Sequence, residues 1–164
     1  MKSKSFLFAV CASVMLVSSA SSQEVAFVIR HAEKEPAGKD PALTAAGRSM
    51  AKDWSRMLKG SGVDIVINTD ARRSRETGKI IASELGVEQA EVSMADIAGL
   101  FDLLTFDYDD QNVLIIAHTE TIPTILSRMG VRHKVDIATD DYSNLFLVTS
   151  TAKDEKSLVK LRLP

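Results

Sequence analysis

The sequence of 164 residues contains a single cysteine, Cys11, which lies inside an apolar stretch near the N-terminus. One thiol cannot form an internal disulfide, and its position leaves the rest of the chain without a cysteine nucleophile. Basic residues are not in excess, since 20 lysines and arginines stand against 22 acidic residues. Without a basic stripe to neutralise a phosphate backbone, a nucleic-acid partner is not expected.

Long apolar runs are also missing. The N-terminal stretch, residues 6–17, falls short of the ~20 residues that a membrane-spanning helix needs. Two lysines precede it and small residues follow it, which is the pattern of a secretory signal cleaved after Ala20. We therefore expect residues 1–20 to be removed and the product to be exported, periplasmic or secreted, without a membrane anchor. A retained anchor and a lipoprotein attached through Cys11 are the alternatives.

The remaining residues, 21–164, are enough for one domain with a single buried core. Strand-like runs alternate with helical patterns, and two strand-like runs end the chain. We predict strands at 25–29, 63–67, 91–94, 113–117, 145–149 and 157–163, and helices at 44–58, 74–85, 95–106 and 122–129. This order predicts an α/β three-layer sandwich with a mostly parallel central sheet, helices on both faces and a C-terminal strand hairpin.

Two histidines directly follow buried strand-like runs. Arg30 and His31 come after the first run, and His118 comes after residues 113–117. Because the carboxyl ends of parallel strands line one crevice, these imidazoles could face each other across a single site. The second strand-like run leads into Arg72 and Arg73, which brings guanidinium groups to the same edge. Two imidazoles and several arginines indicate an anion pocket, most naturally one for phosphate.

Four motifs occur in order along this predicted layout. They are RHAEK at 30–34, LTAAG at 43–47, TDARRSRET at 69–77 and HT at 118–119. Together they resemble the histidine phosphatase superfamily, and the resemblance covers the chain from about residue 24 to at least residue 129. It implies a phosphoglycerate mutase-like fold, a small phosphorylated substrate and phosphomonoester hydrolysis that needs no metal and no other cofactor.

The resemblance also implies roles for particular residues. His31 would be the nucleophile that accepts a phosphoryl group, while Arg30, Arg73 and His118 would hold the phosphate oxygens. Among the neighbouring arginines, Arg73 fits the family pattern because a small residue, Ser74, follows it directly. A neutral imidazole is a competent nucleophile near pH 7, and fixed cationic donors stabilise charge on the transferring phosphoryl oxygens.

The proton donor is where the sequence departs from better-known members of the family. Thr119 occupies the position where some members carry an aspartate, and Glu120 follows it. Glu120 is the leading candidate for the acid because it comes after the pocket histidine and before a predicted helix. Asp96, after a predicted short strand, and Glu33, two residues from the nucleophile, are the other candidates.

Three other interpretations compete with a hydrolase. A metal site built from both histidines and Glu33 is disfavoured, because the flanking arginines would repel a cation. A phosphoglycerate mutase must hold its substrate on both sides of the transfer, and this short chain has little room for the extra capping segment. A phosphate-binding or regulatory domain, with the pocket retained and turnover lost, remains open because the acid is uncertain.

Overall fold

The computed structural model describes residues 25–150 and 155–164, so the predicted signal at 1–20 lies outside the described residues. Strands and helices alternate along most of the chain. In order they are β1 (Val25–Arg30), α1 (Ala45–Leu58), β2 (Ile65–Thr69), α2 (Arg72–Leu85), β3 (Glu88–Val92), α3 (Ile97–Asp102), β4 (Val113–Ala117), α4 (Ile122–Arg128), β5 (Asn144–Ser150) and β6 (Lys156–Arg162). A π-helical turn, Leu103–Asp107, extends α3.

All six strands form one sheet, in the order β3-β2-β4-β1-β5-β6. The first four strands of the chain pair in parallel, whereas β5 pairs antiparallel with β1 and β6 pairs antiparallel with β5. The predicted parallel sheet with a C-terminal hairpin is therefore confirmed. None of the helices in the described ranges is long and apolar enough to cross a membrane.

The sheet has a buried apolar layer on each face. Alternate residues of β4 point to opposite faces, so that Leu114 and Ile116 belong to one core and Val113 and Ile115 to the other. The first core also holds side chains of α1 and α2, among them the fully buried Trp54. The second core holds side chains of α3 and α4. Helices on both faces of a sheet make the predicted three-layer architecture.

The sequence prediction placed two strands two or three residues away from their observed bounds. The second strand begins at Ile65, not 63, because Asp64 is bonded to Asn112 in the segment before β4 and does not pair in the sheet. It also runs on through the polar but buried Asn68 and Thr69, whose backbone pairs with β3. The third strand lies at 88–92 instead of 91–94. Its sequence, EQAEV, has only one small apolar residue before the final valine, which is too little alternation to indicate a strand.

The helix predicted at 95–106 is shorter and less regular than expected. It begins at Ile97, since Asp96 is its N-cap and accepts a hydrogen bond from the backbone N–H of Gly99 at 2.8 Å. After Asp102 the chain continues as the π-helical turn, in which no residue is buried. Apolar residues at helical spacing do not distinguish these two kinds of helix.

The start of α1 packs closely against the segment that follows β1. The side chain of Thr44 caps the helix by accepting a hydrogen bond from the N–H of Gly47 at 2.9 Å. A Cβ atom at Gly47 would collide with the backbone carbonyl of Glu33. The glycine therefore allows the helix to approach a backbone segment two residues from His31.

Candidate active site

The register of the sheet brings the two predicted histidines together. Arg30 and Ala117 are paired in the parallel ladder between β1 and β4, so His31 and His118 are the next residues on neighbouring strands. The backbone N–H of His31 donates to the carbonyl of Ala117 at 3.0 Å. The two imidazole rings lie with centroids 5.2 Å apart, and both side chains are almost fully buried.

The hydrogen bonds of His31 define which of its ring nitrogens carries the proton. Nδ1 lies 2.8 Å from the carbonyl oxygen of Ala32, which can only accept, so Nδ1 is the protonated nitrogen. Nε2 accepts a hydrogen bond from Nε of Arg73 at 3.1 Å. The neutral tautomer inferred from these partners leaves the lone pair of Nε2 facing the guanidinium.

Arg73 connects the two histidines. Besides its contact with His31, its Nη2 lies 3.2 Å from Nδ1 of His118. Since a guanidinium can only donate, Nδ1 of His118 is the acceptor, and Nε2 donates to the hydroxyl of Thr69 at 2.8 Å. Nη1 of Arg73 lies 4.0 Å from the exposed carboxylate of Asp40. A single cation thus faces both imidazoles.

Two hydroxyl groups in the first turns of α2 hold this helix against the strand ends. Ser74 donates to the carbonyl of Ile116 at 3.0 Å and accepts from the N–H of Thr69 at 3.0 Å. Thr77 donates to the carbonyl of Arg73 at 2.7 Å and accepts from the N–H of Ala32 at 3.1 Å. Because the side chains are buried and bonded on both sides, the start of the helix is fixed relative to the histidines.

The neighbours of Arg73 point elsewhere. Arg72 pairs with Glu76 at 2.7 Å and Arg75 pairs with Glu91 at 2.8 Å, both on the exposed surface. Only Arg73, among these three adjacent cations, contacts the histidines. The family resemblance singled out the same arginine, and its phosphate-binding role stays a prediction.

Burial makes both imidazoles poor bases. It lowers the pKa of His31 from 6.5 to about 3, and the nearby positive charges act in the same direction, although the bond to Ala32 opposes them. Burial and the charge of Arg73 lower the pKa of His118 from 6.5 to about 4. Both rings are therefore neutral at pH 7, and a neutral imidazole has the free lone pair that a nucleophile needs.

Arg30 reaches the same region from the end of β1, and its side chain is buried. Its Nη1 donates to the carbonyl oxygens of Thr139 and Asp141, at 2.6 and 3.3 Å. Its Nε is buried and has no hydrogen-bond partner among the residues that the structure describes. The guanidinium lies 3.9 Å from the centre of the Tyr142 ring, and this ring lies 5.8 Å from the ring of His31.

The three candidate acids differ in what they contact. Asp96 caps α3, and Glu33 accepts a hydrogen bond from the hydroxyl of Thr44 at 2.7 Å, so both carboxylates already have partners. Glu120 is exposed, and its charge acts on both Arg30 and His118. Of the three carboxylates, Glu120 alone has an electrostatic interaction with the predicted phosphate-binding side chains. In the described ranges no group of three potential ligands is arranged to hold a metal ion.

Sequence reasoning missed several residues around the site. Thr69 lies within one of the four motifs, and its position at the end of a strand beside His118 is the signal that could have identified it. Tyr142 and the carbonyls of Thr139 and Asp141 lie in an irregular segment before β5, which no sequence pattern connected with the histidines.

The family comparison matches residues 26–95 to the "Histidine phosphatase superfamily (branch 1)". A 2,3-bisphosphoglycerate-dependent phosphoglycerate mutase from Bradyrhizobium sp. (strain ORS 278) is 36% identical over 74 residues, which cover 40% of this chain. That match spans only 36% of the mutase, or about a third of its length.

Solved structures resemble the chain over most of its length. The protein histidine phosphatase SixA complexed with tungstate superposes with a TM-score of 0.69 at 14% identity, covering 84% of this chain and 96% of that one. A mycobacterial glucosyl-3-phosphoglycerate phosphatase gives a TM-score of 0.63 at 12% identity, covering 87% of this chain and 100% of that one. At these identities the likeness shows a shared fold alone.

The sheet order and the paired histidines at neighbouring strand ends define an α/β protein with the histidine phosphatase fold. Residues 26–95, which contain His31 and Arg73, carry the sequence pattern that goes with this fold. Within this fold, residues 26–95 are similar to the histidine phosphatase superfamily.

Proposed function

We propose that this protein hydrolyses phosphomonoesters through a phosphohistidine at His31, without a metal ion. The contact between Nε2 of His31 and the Arg73 guanidinium is the observation that carries the proposal. It places a neutral nitrogen lone pair beside the donor that would bind a phosphoryl oxygen. The phosphatase names of the structural neighbours support the same reaction class.

The first step would be attack of Nε2 of His31 on phosphorus. The P–O bond to the leaving group breaks as the N–P bond forms, and the leaving oxygen takes a proton from an acid. Positive charge on the phosphorylated imidazole is stabilised by the carbonyl of Ala32, which accepts from Nδ1. Arg73 and Arg30 would bring positive charge to the phosphoryl oxygens, and His118, whose Nδ1 is an acceptor in the neutral ring, would bind them through Nδ1 only after taking up a proton there.

Water would complete the cycle by attacking phosphorus of the phosphohistidine. The N–P bond breaks, inorganic phosphate leaves, and the lone pair returns to Nε2. The group that gave its proton in the first step would accept one from the water. Glu120 is the proposed acid and base, because its charge acts on Arg30 and His118 while Asp96 and Glu33 are bonded elsewhere.

A phosphate-binding domain with little turnover is the second candidate. It is favoured by the exposure of Glu120, since an acid held loosely in solvent would protonate a leaving group inefficiently. Phosphoglycerate mutase activity, which the name of the Bradyrhizobium relative suggests, is less well supported. In the described ranges the connections beside the site, 31–44, 70–71, 93–96 and 118–121, contain no additional helix that could cap a substrate.

One experiment separates these candidates. The protein and its His31→Ala variant are mixed with p-nitrophenyl phosphate in the presence of a chelator, and released nitrophenol and acid-labile protein phosphate are measured. We expect chelator-resistant turnover and acid-labile phosphate, both lost in the variant. Phosphate binding without turnover would favour the regulatory domain. With phosphoglycerates in place of p-nitrophenyl phosphate, phosphoryl transfer between them without net hydrolysis would favour a mutase.

Export is a separate proposal. It depends on residues 1–20, which lie outside the described residues, and on the arrangement of lysines, apolar stretch and small residues in the sequence. Mass measurement of the protein recovered from cell fractions tests it. We expect an exported form that begins at Ser21, while full-length protein confined to the cytoplasm would contradict export.

A further inference from the structure

Arg30 is held by a segment that belongs to a distant part of the chain. Its Nη1 donates to two backbone carbonyls, those of Thr139 and Asp141, so that one edge of the guanidinium is fixed. Its buried Nε keeps no partner within the described ranges. A buried donor without a partner costs free energy unless a ligand satisfies it. One edge of Arg30 is thus bound to the protein while another remains able to bind an anion.

The ring of Tyr142 covers the same guanidinium. A distance of 3.9 Å between Cζ of Arg30 and the ring centre is within the range of a cation–π interaction. The ring is also tilted by 59° against the imidazole of His31, with 5.8 Å between the centres. Tyr142 therefore packs against both the cation and the ring of the proposed nucleophile, and this contact limits the directions in which Arg30 can turn.

The segment 139–144, which we call the anchor segment, is fixed to the C-terminal strand. The carboxylate of Asp141 accepts hydrogen bonds from Arg162 of β6 at 3.0 and 3.3 Å. It also accepts from the backbone and hydroxyl of Ser143 and from the amide of Asn144 at 2.8 Å. Burial alone would raise the pKa of Asp141, but these hydrogen bonds outweigh it and lower the pKa to about 2.

We propose that the anchor segment positions Arg30 for binding the phosphoryl oxygens, with Tyr142 and the Asp141–Arg162 pair as its positioning residues. The proposal deepens the proposed function and rests on it, since it takes the site to be one for tetrahedral oxyanions. A guanidinium whose plane is set in advance binds an anion without losing rotational freedom at that moment. Changes in the last strand of the sheet should therefore alter anion affinity at the histidines.

Replacement of the Tyr142 ring tests the contact with Arg30. Tungstate binding by isothermal titration calorimetry and the KM and kcat for p-nitrophenyl phosphate are measured for Tyr142→Leu and Tyr142→Phe. We expect about three- to thirtyfold weaker tungstate binding and a raised KM in the leucine variant, and values near wild type in the phenylalanine variant, because a phenyl ring keeps the cation–π contact. Equal tungstate affinity in all three proteins would overturn the proposal.

Replacement of Arg162 tests the tie to β6, and Lys160 provides a matched control. Both side chains lie on the same strand two residues apart, both are exposed cations, and Arg162 is the one that contacts Asp141. We expect Arg162→Gln to weaken tungstate binding about threefold or more, while Lys160→Gln has little effect. Equal losses of tungstate affinity in both variants would indicate that any positive charge on β6 has this effect, and would overturn the positioning role of Arg162.

The two readouts distinguish this inference from the proposed function. If tungstate binds and no ester is hydrolysed, the hydrolase proposal fails, whereas the variants still test the anchor segment through tungstate affinity. If the wild-type protein binds no tungstate, the site is not prepared for an oxyanion and the inference fails. A fall in thermal stability with unchanged tungstate affinity would show that the segment only supports the fold.

Discussion

The guanidinium of Arg73 donates a hydrogen bond to Nε2 of His31 over 3.1 Å. The same nitrogen would have to attack phosphorus, so the donor and the nucleophile are already in contact before any anion binds. Because the contact uses a lone pair and not a charge, it keeps His31 neutral and oriented. An incoming phosphoryl oxygen can take over the guanidinium while the imidazole remains held through Ala32.

Replacement of Arg73 by lysine should remove this arrangement. A lysine keeps the charge but cannot face both histidines with a planar pair of donors. We expect kcat for p-nitrophenyl phosphate to fall about 10²–10³-fold, the usual cost of losing one preorganised donor. Arg72→Lys is the control, since Arg72 pairs with Glu76 on the surface, and it should remain near wild type. Equal loss in both variants would contradict the assignment of Arg73.

Removal of the proposed acid should depend on the leaving group. We expect Glu120→Gln to slow hydrolysis of alkyl phosphates by about 10²–10⁴-fold and that of p-nitrophenyl phosphate far less, since nitrophenolate leaves without a proton. Asp96→Asn is the control, because asparagine caps a helix as well as aspartate does. If the asparagine variant shows the leaving-group dependence instead, Asp96 is the acid and Glu120 is not.

The buried histidines should make the protein less stable as the pH falls below 6.5. Folding lowers their pKa values to about 3 and about 4, so the unfolded chain binds more protons in this range. Above pH 6.5 both rings are neutral in the folded and unfolded states, and their burial then carries no protonation penalty. As the pH falls toward 4, protonation of the unfolded chain lowers the free energy of unfolding. Asp141 affects stability only at lower pH, between 3.8 and about 2, because above that range its carboxyl is ionised in both the folded and the unfolded state.

Urea unfolding at a series of pH values between 4 and 7 measures this effect. We expect the free energy of unfolding to rise with pH and the slope to be smaller in His118→Gln. His133→Gln, at an exposed position, is the control. A wild-type profile that is flat over this range would show that the histidines are not desolvated as the structure indicates.

Substitution of Gly47 should disturb the site from the back. An alanine side chain there would meet the backbone carbonyl of Glu33, so that either the helix or the segment after His31 would have to shift. We expect Gly47→Ala to lower the free energy of unfolding by about 1–3 kcal/mol, the usual cost of overpacking, and to reduce turnover by displacing the segment after His31. Ser49→Ala, on the exposed side of the same helix, should change neither quantity.

Much of this architecture could be predicted from local sequence. The strand before His118 was predicted at its observed bounds, because a run of five apolar residues between a polar turn and a histidine has few alternatives. Capping chemistry accounts for the start of α1 after Thr44 and for the end of α2 at the αL residue Gly86. The prediction that both histidines lie at one edge of the sheet required only that each follows the carboxyl end of a parallel strand.

The remainder depended on contacts between distant residues. Polar residues such as Asn68 belong to β2 because β3 and β4 supply partners on either side, which the local sequence does not reveal. The choice of Arg73 came from the family pattern and not from the residues alone. The contact of Tyr142 with Arg30 joins positions 112 apart through an irregular segment, where neither strand nor helix periodicity applies.

The position of β1 between β4 and β5 has a consequence for local unfolding. The N–H of His31, bonded to Ala117, belongs to the interior of the sheet, so its hydrogen exchange with solvent should require opening of the whole domain. The anchor segment is tied instead to β6, an edge strand, where we expect opening at lower free energy. Fraying of that edge would release the hold on Arg30 while His31 keeps its place, so the proposed nucleophile and one of its proposed anion-binding partners would belong to cooperative units of different stability.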